Sequence, residues 1–99
     1  MAQAYDGFDW DAGNREKCRK HGVLLAEVEG VFAMQPAVRP DLAHSQEEAR
    51  FLAIGRSLAG RHVFIVFTVR GRDGGRYVRP ISARFMHQKE IENLEEANS

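Results

Sequence analysis

RFLAIGRSLAGRHVFIVFTVRGRDGGRYVRPISAR, residues 50–84, is the stretch that decides the fold. It divides at its glycines into three runs, Phe51–Ser57, His62–Val69 and Arg76–Ala83, joined by two turns. In the first run Leu52, Ile54 and Arg56 alternate with Phe51, Ala53 and Gly55, the period of two expected of a half-buried strand. The middle run, Val63 to Val69, is apolar at both parities, which predicts the most buried strand, covered by a helix on at least one side. In the third run Tyr77, Arg79, Ile81 and Ala83 share one parity and Val78, Pro80 and Ser82 the other. Pro80 has no N–H to give a ladder, so the strand is at an edge there or bulged. Ser57–Arg61 reads as a short hairpin loop with Gly60 at positive φ, and Gly71–Gly75 as the second turn. The product is an antiparallel meander.

On the N-terminal side, Phe8 and Trp10 have strand parity, and Asp11 is placed to cap a helix over Ala12–His21. Gly22 stands where a left-handed C-cap residue is expected. A second helix over Val23–Met34 carries Leu24, Val28, Val31 and Phe32 on one stripe, and Pro36 ends it. Residues 35–49 read as loop, with Ala37–Arg39 able to add a short edge strand and Ser45–Glu48 a tight turn. Past the sheet, Met86–Ala97 predicts a C-terminal helix with His87, Ile91 and Leu94 on its apolar side. The expected class is α+β: two N-terminal helices, a three- to four-stranded antiparallel sheet and a C-terminal helix. All 99 residues are expected to form one domain, with its core over about residues 8–96.

Composition narrows the function classes. Hydrophobic content of 43% and charged content of 28% are globular values. One cysteine, Cys18, excludes an intramolecular disulfide framework and fits a reducing compartment, so a cytoplasmic location is expected. No apolar run is long enough to span a bilayer, and the acidic, aromatic N-terminus is unlike a signal peptide. Formal net charge is zero, but charge is segregated. Residues 50–89 hold eight arginines and Lys89 against one acid, Asp73, a net of +8. Asp6, Asp9 and Asp11 precede this stretch, and Glu90, Glu92, Glu95 and Glu96 follow it. One reading is a solvated basic face between two solvated acidic ends. The other is a surface for a polyanion, nucleic acid above all, that an acidic partner could also cover.

The side chains limit the chemistry. His21, His44, His62 and His87 lack metal-ligand spacing, and no glycine-rich loop opens a helix, so neither a metal nor a nucleotide cofactor is expected. Arginine, histidine and lysine on a compact sheet are the parts for cleaving RNA without a metal. Arginine forks onto phosphate oxygens and offsets transition-state charge, while a base takes the ribose 2′-hydroxyl proton and an acid protonates the leaving oxygen.

Four blocks carry a resemblance: Phe8-Asp9-Trp10-Asp11, Arg19-Lys20-His21-Gly22-Val23, Arg50-Phe51-Leu52-Ala53-Ile54-Gly55-Arg56-Ser57 and Arg79-Pro80-Ile81-Ser82-Ala83-Arg84. In this order they resemble the BrnT family of bacterial toxins, over roughly residues 8–96. The resemblance implies a fold like that of the RelE/ParE toxins and a ribonuclease that inhibits translation. It also implies neutralisation by a ribbon-helix-helix antitoxin of the BrnA type, which contacts operator DNA on the complex's behalf. Within the matching blocks Lys20, His21, Arg56, Arg79 and Arg84 are the site candidates: the arginines for phosphate and transition-state charge, Lys20 or His21 for proton transfer. Arg56 has the parity of Leu52 and Ile54, whereas Arg79 and Arg84 have opposite parities. A bulge at Pro80 would bring these two together; without one, only one of them joins the site. The competing reading is a degenerate toxin without catalysis, kept as a binding module that acts in repression with a DNA-binding antitoxin.

Overall fold

A computed structural model describes residues 5–44 and 47–97. Ser45 and Gln46, half of the expected Ser45–Glu48 turn, lie outside the described residues. Two short elements open the chain: β1 (Gly7–Phe8) and α1 (Ala12–Arg19). α2 (Leu25–Ala33) and β2 (Ala37–Pro40) follow, with one turn of 3-10 helix at Leu42–His44. Then come β3 (Phe51–Arg56), β4 (His62–Arg72), β5 (Gly75–Phe85) and α3 (Gln88–Ala97). The class is α+β, as expected, but the sheet has five strands, in the order β1-β5-β4-β3-β2, and is mixed. β1 pairs parallel to β5 through Gly7–Tyr77 and Phe8–Val78, so the purely antiparallel expectation is corrected. Two paired residues leave too little alternation for a sequence pattern to reveal.

β4 occupies the centre because it alone is apolar at both parities. α1 and α2 bury one face of the sheet. Cys18, Val23, Val28 and Val31 meet Ala53, Val63, Ile65, Phe67, Val78 and Ala83, all nearly or wholly without solvent exposure. Full burial of such side chains contributes about 1.5–3 kcal/mol each for the larger ones. Burial also pushes the Cys18 thiol up to about 11. Around Phe67, the rings of Tyr5, Phe32 and Phe51 pack at centroid distances of 6.4, 5.0 and 5.6 Å. α2 crosses closely at Gly55, where an added Cβ would lie 3.0 Å from Pro36 Cβ and 3.2 Å from Val31 Cγ1.

Helix ends differ from expectation for local reasons. Asp11 caps α1 as read: Asn14 N donates to its Oδ1 at 2.9 Å, and Asp11 N donates back to Asn14 Oδ1 at 2.7 Å. Buried Asn14 also donates from Nδ2 to the carbonyls of Asp9 and Pro80, tying α1 to β5. α1 ends at Arg19, with Gly22 at φ 83° completing the turn. Leu24 does not join the α2 stripe. It is the extended N-cap residue, 61% exposed, so helical periodicity does not yet apply to it. The second hairpin is tighter than Gly71–Gly75: Asp73 and Gly74, at φ 50° and 79°, form a two-residue turn of the kind Asp-Gly favours. α3 buries none of its residues. Among the described residues no helix is long and apolar enough to cross a membrane.

Candidate functional site

The face of the sheet opposite α1 and α2 carries the arginines, and strand register fixes which side chains share it. Arg56 lies opposite His62, Ile54 opposite Phe64 and Leu52 opposite Val66. Phe64 in turn lies opposite Arg84, Val66 opposite Ser82 and Thr68 opposite Arg79. Opposed residues project to one side. Because Val63, Ile65 and Phe67 are in the core, these partners are on the open face. The ladder skips a residue between Phe67–Pro80 and Val66–Ser82, which makes Ile81 a β-bulge. This is the bulge expected at Pro80, one residue on. It reverses the parity of β5, so Arg79 and Arg84 point the same way, and Arg56 joins them.

These arginines do not meet at one point. The rows of Arg79 and Arg84 are set by Thr68 and Phe64, four residues apart on β4, a separation of roughly 13 Å at the strand rise. Between them lies a depression of about 350 Å³ floored by Leu52, Phe64, Val66 and Ile81, with Arg50 and Asp41 on its wall. Lys20 and His21 are not brought to this face. They are exposed in the turn between α1 and α2, the helices that cover the other side.

The acidic ends of the chain fold back onto the basic stretch, which corrects the reading of them as merely solvated. Arg79 Nη2 donates to Asp11 Oδ2 at 2.6 Å, and its Nη1 is 3.6 Å from Asp9 Oδ2. Asp11 is held below the usual carboxylate range by its bond from the Asn14 backbone and then by Arg79. Arg84 and Glu90 form a two-pronged pair, Nη1–Oε1 at 2.7 Å and Nη2–Oε2 at 2.8 Å. Glu90 also accepts from His87 N at 2.9 Å, the back-bond that starts α3. The Arg84 hydrogen bonds, with the His87 bond next, lower Glu90 to about 2, and the same pair raises Arg84. Arg84 is further stacked on Phe64, 4.7 Å from the ring centre. On the same face, beyond the Arg79 row, Arg70 pairs with Glu48 at 2.8 Å; away from it, Arg61 sits 3.4 Å over the Phe85 ring. Arg56 is the exception: it is exposed and makes no ion pair or side-chain hydrogen bond with any described residue.

Two residues on this face escaped the sequence reading. Arg50 lines the depression, and His62 stands directly across from Arg56. Both were legible in principle: the five-residue loop Ser57–Arg61 forces Arg56 and His62 into register, and Arg50 continues the Leu52–Ile54 parity. Among the described residues no three His, Cys, Asp or Glu side chains gather as a metal-ligand group.

A family model described as the ribonuclease toxin BrnT of the type II toxin–antitoxin system matches residues 10–90. No curated protein matches the chain.

Proposed function

This chain belongs to the BrnT family of ribonuclease toxins, and we propose that it is an endoribonuclease that cleaves RNA without a metal and thereby inhibits translation. The observation that carries this reading is the shared face of Arg56, Arg79 and Arg84, created by the bulge at Ile81. Planar guanidinium groups rising from an apolar floor can fork onto phosphate oxygens and offset charge that develops at phosphorus, the work a metal would otherwise do. In this reading the RNA strand lies along the roughly 13 Å from the Arg79 row to the Arg84 row. Lys20 and His21, outside this face, suit contacts with RNA beyond it better than proton transfer on it. The layout of two helices, sheet and C-terminal helix supports kinship with the RelE/ParE toxins. The toxin acts in the cytoplasm as one domain, and a ribbon-helix-helix antitoxin of the BrnA type neutralises it. Operator DNA is contacted only through that antitoxin.

One observation favours the competing reading of a non-catalytic binding module. Arg79 and Arg84 are already satisfied by Asp9, Asp11 and Glu90, leaving Arg56 alone uncompensated. The deciding experiment is RNA cleavage by the purified protein in EDTA, beside Arg56→Ala and Arg79→Ala variants with unchanged thermal unfolding. Cleavage that survives EDTA and is lost in the variants supports the nuclease. Intact RNA in every condition, with ribosomes included, leaves the binding module.

A further inference from the structure

We propose that His62 is the catalytic proton acceptor and that the scissile phosphate lies at the Arg56–His62–Arg84 end of the open face; this rests on the ribonuclease reading above. His62 is opposite Arg56 on β3, and Met86 N donates to its carbonyl at 3.0 Å, which aligns it beside the end of β5. Directly opposed side chains have Cβ atoms about 4.5–5.5 Å apart, and diagonal neighbours stand about 7–8 Å apart. Arg56 is His62's direct neighbour. Arg84, paired with Phe64 two residues along β4, is its diagonal one. His62 therefore stands between two arginine positions on one surface, an arrangement that would seat a single phosphodiester over an imidazole.

Availability points to the same residue. The His62 ring is half-buried and makes no hydrogen bond or ion pair with any described residue. Arg56 is likewise uncommitted, so the pair needs no internal contact broken before substrate binds. A neutral imidazole has one ring nitrogen free to accept a proton. Arg79, a strand-length away and held by Asp9 and Asp11, is left to bind a flanking phosphate.

The step balances with water as the one further reactant, its hydroxide neutralised when His62 gives up the proton it has taken. The ribose 2′-hydroxyl gives its proton to a ring nitrogen of His62 as its oxygen bonds to phosphorus. The bond from phosphorus to the 5′ oxygen breaks, and that oxygen takes a proton from water. The products are a 2′,3′-cyclic phosphate and a 5′-hydroxyl end. Arg56 holds the non-bridging oxygens as charge gathers on them, joined by Arg84 as its pair with Glu90 opens.

The test compares wild-type protein with His62→Gln and His62→Ala on a single-stranded RNA oligonucleotide in EDTA, across pH. The expected result is a drop in kcat of about 10²–10⁴-fold in both variants, the range of general acid–base catalysis. The acidic limb of the pH–rate profile should vanish, and affinity for a 2′-O-methyl oligonucleotide should not change. Added imidazole should partly restore His62→Ala, a response that a merely structural role, or a variant that failed to fold, would not give. Wild-type-like cleavage by His62→Gln overturns the assignment and leaves the ribonuclease reading intact. No cleavage by the wild type, ribosomes included, removes that reading and His62's role with it.

Discussion

The two faces of one sheet are built from alternate residues of the same strands, yet they obey different rules. Toward α1 and α2, Val63, Ile65 and Phe67 are wholly buried among apolar partners. Their neighbours Phe64 and Val66 are only half-buried and form a floor rimmed by Arg50, Arg56, Arg79 and Arg84. The covered face supplies stability and spends no charge. The open face concentrates cations that repel one another, and the chain moderates this with carboxylates from its two ends. Asp9 and Asp11 hold Arg79 through a capped, well-packed helix, whereas Glu90 holds Arg84 from a helix that buries nothing. Stability and chemistry are thus separated by a rotation of one residue along a strand.

Substitutions on the two faces should part company, and the largest effect belongs to the core. Phe67→Ala should lose about 3–5 kcal/mol in urea unfolding, because its cavity is lined by aromatic rings that cannot collapse into it. Val66→Ala, next in sequence on the open face, should lose about 1 kcal/mol. Equal losses would mean that the open face is covered after all. Arg56→Ala should show the reverse pattern, with unfolding unchanged and cleavage reduced about 10²–10³-fold, the scale of one lost charge-stabilising donor.

Between these lies Asn14→Ala, which removes the return bond of the α1 cap, from Asp11 N, and leaves the Pro80 carbonyl without its side-chain donor. A loss of about 1–3 kcal/mol is expected, and its effect on activity should run through the positions of Asp11 and Arg79. The smallest effect is at Glu90. Glu90→Gln keeps an oxygen for the His87 N–H but gives up the ion pair, so stability should move by less than about 1 kcal/mol. RNA affinity should rise as Arg84 is released, measurable by fluorescence anisotropy at low salt. The same pair predicts an acid response. Glu90's pKa is depressed from 4.5 to about 2. Its contribution is therefore present above the unfolded value and lost as pH falls from about 4.5 through about 2. α3 amide exchange should accelerate across that window before the sheet opens.

Much of this architecture was legible because local signals agreed. The double-parity apolar run 63–69 announced the central strand, Asp11 announced α1, and Gly22 and Gly60 took the left-handed φ that their positions required. β1 was not legible as a parallel partner, since two residues carry no period. Nor did the candidate site follow from the blocks alone. Lys20 and His21 sit in one block, but the helices that carry them pack on the opposite face. His62 lies outside every block and meets Arg56 only across the hairpin.

By itself the sequence determined the α+β class, the strand-turn-strand rhythm of 50–84, the Asp11 cap of α1 and the segregation of charge. These follow from alternation, glycine and proline sterics, and composition, all of which act within a few residues. Only the tertiary structure decided which arginines share a face. One inserted residue, Ile81, reverses every parity after it, and Pro80 marks the place without fixing the register. Only the tertiary structure, too, decided which cations remain free. Asp9, Asp11 and Glu90 reach Arg79 and Arg84 through chain folding that no spacing in the sequence encodes, and Arg56 is left opposite His62 with its charge unspent.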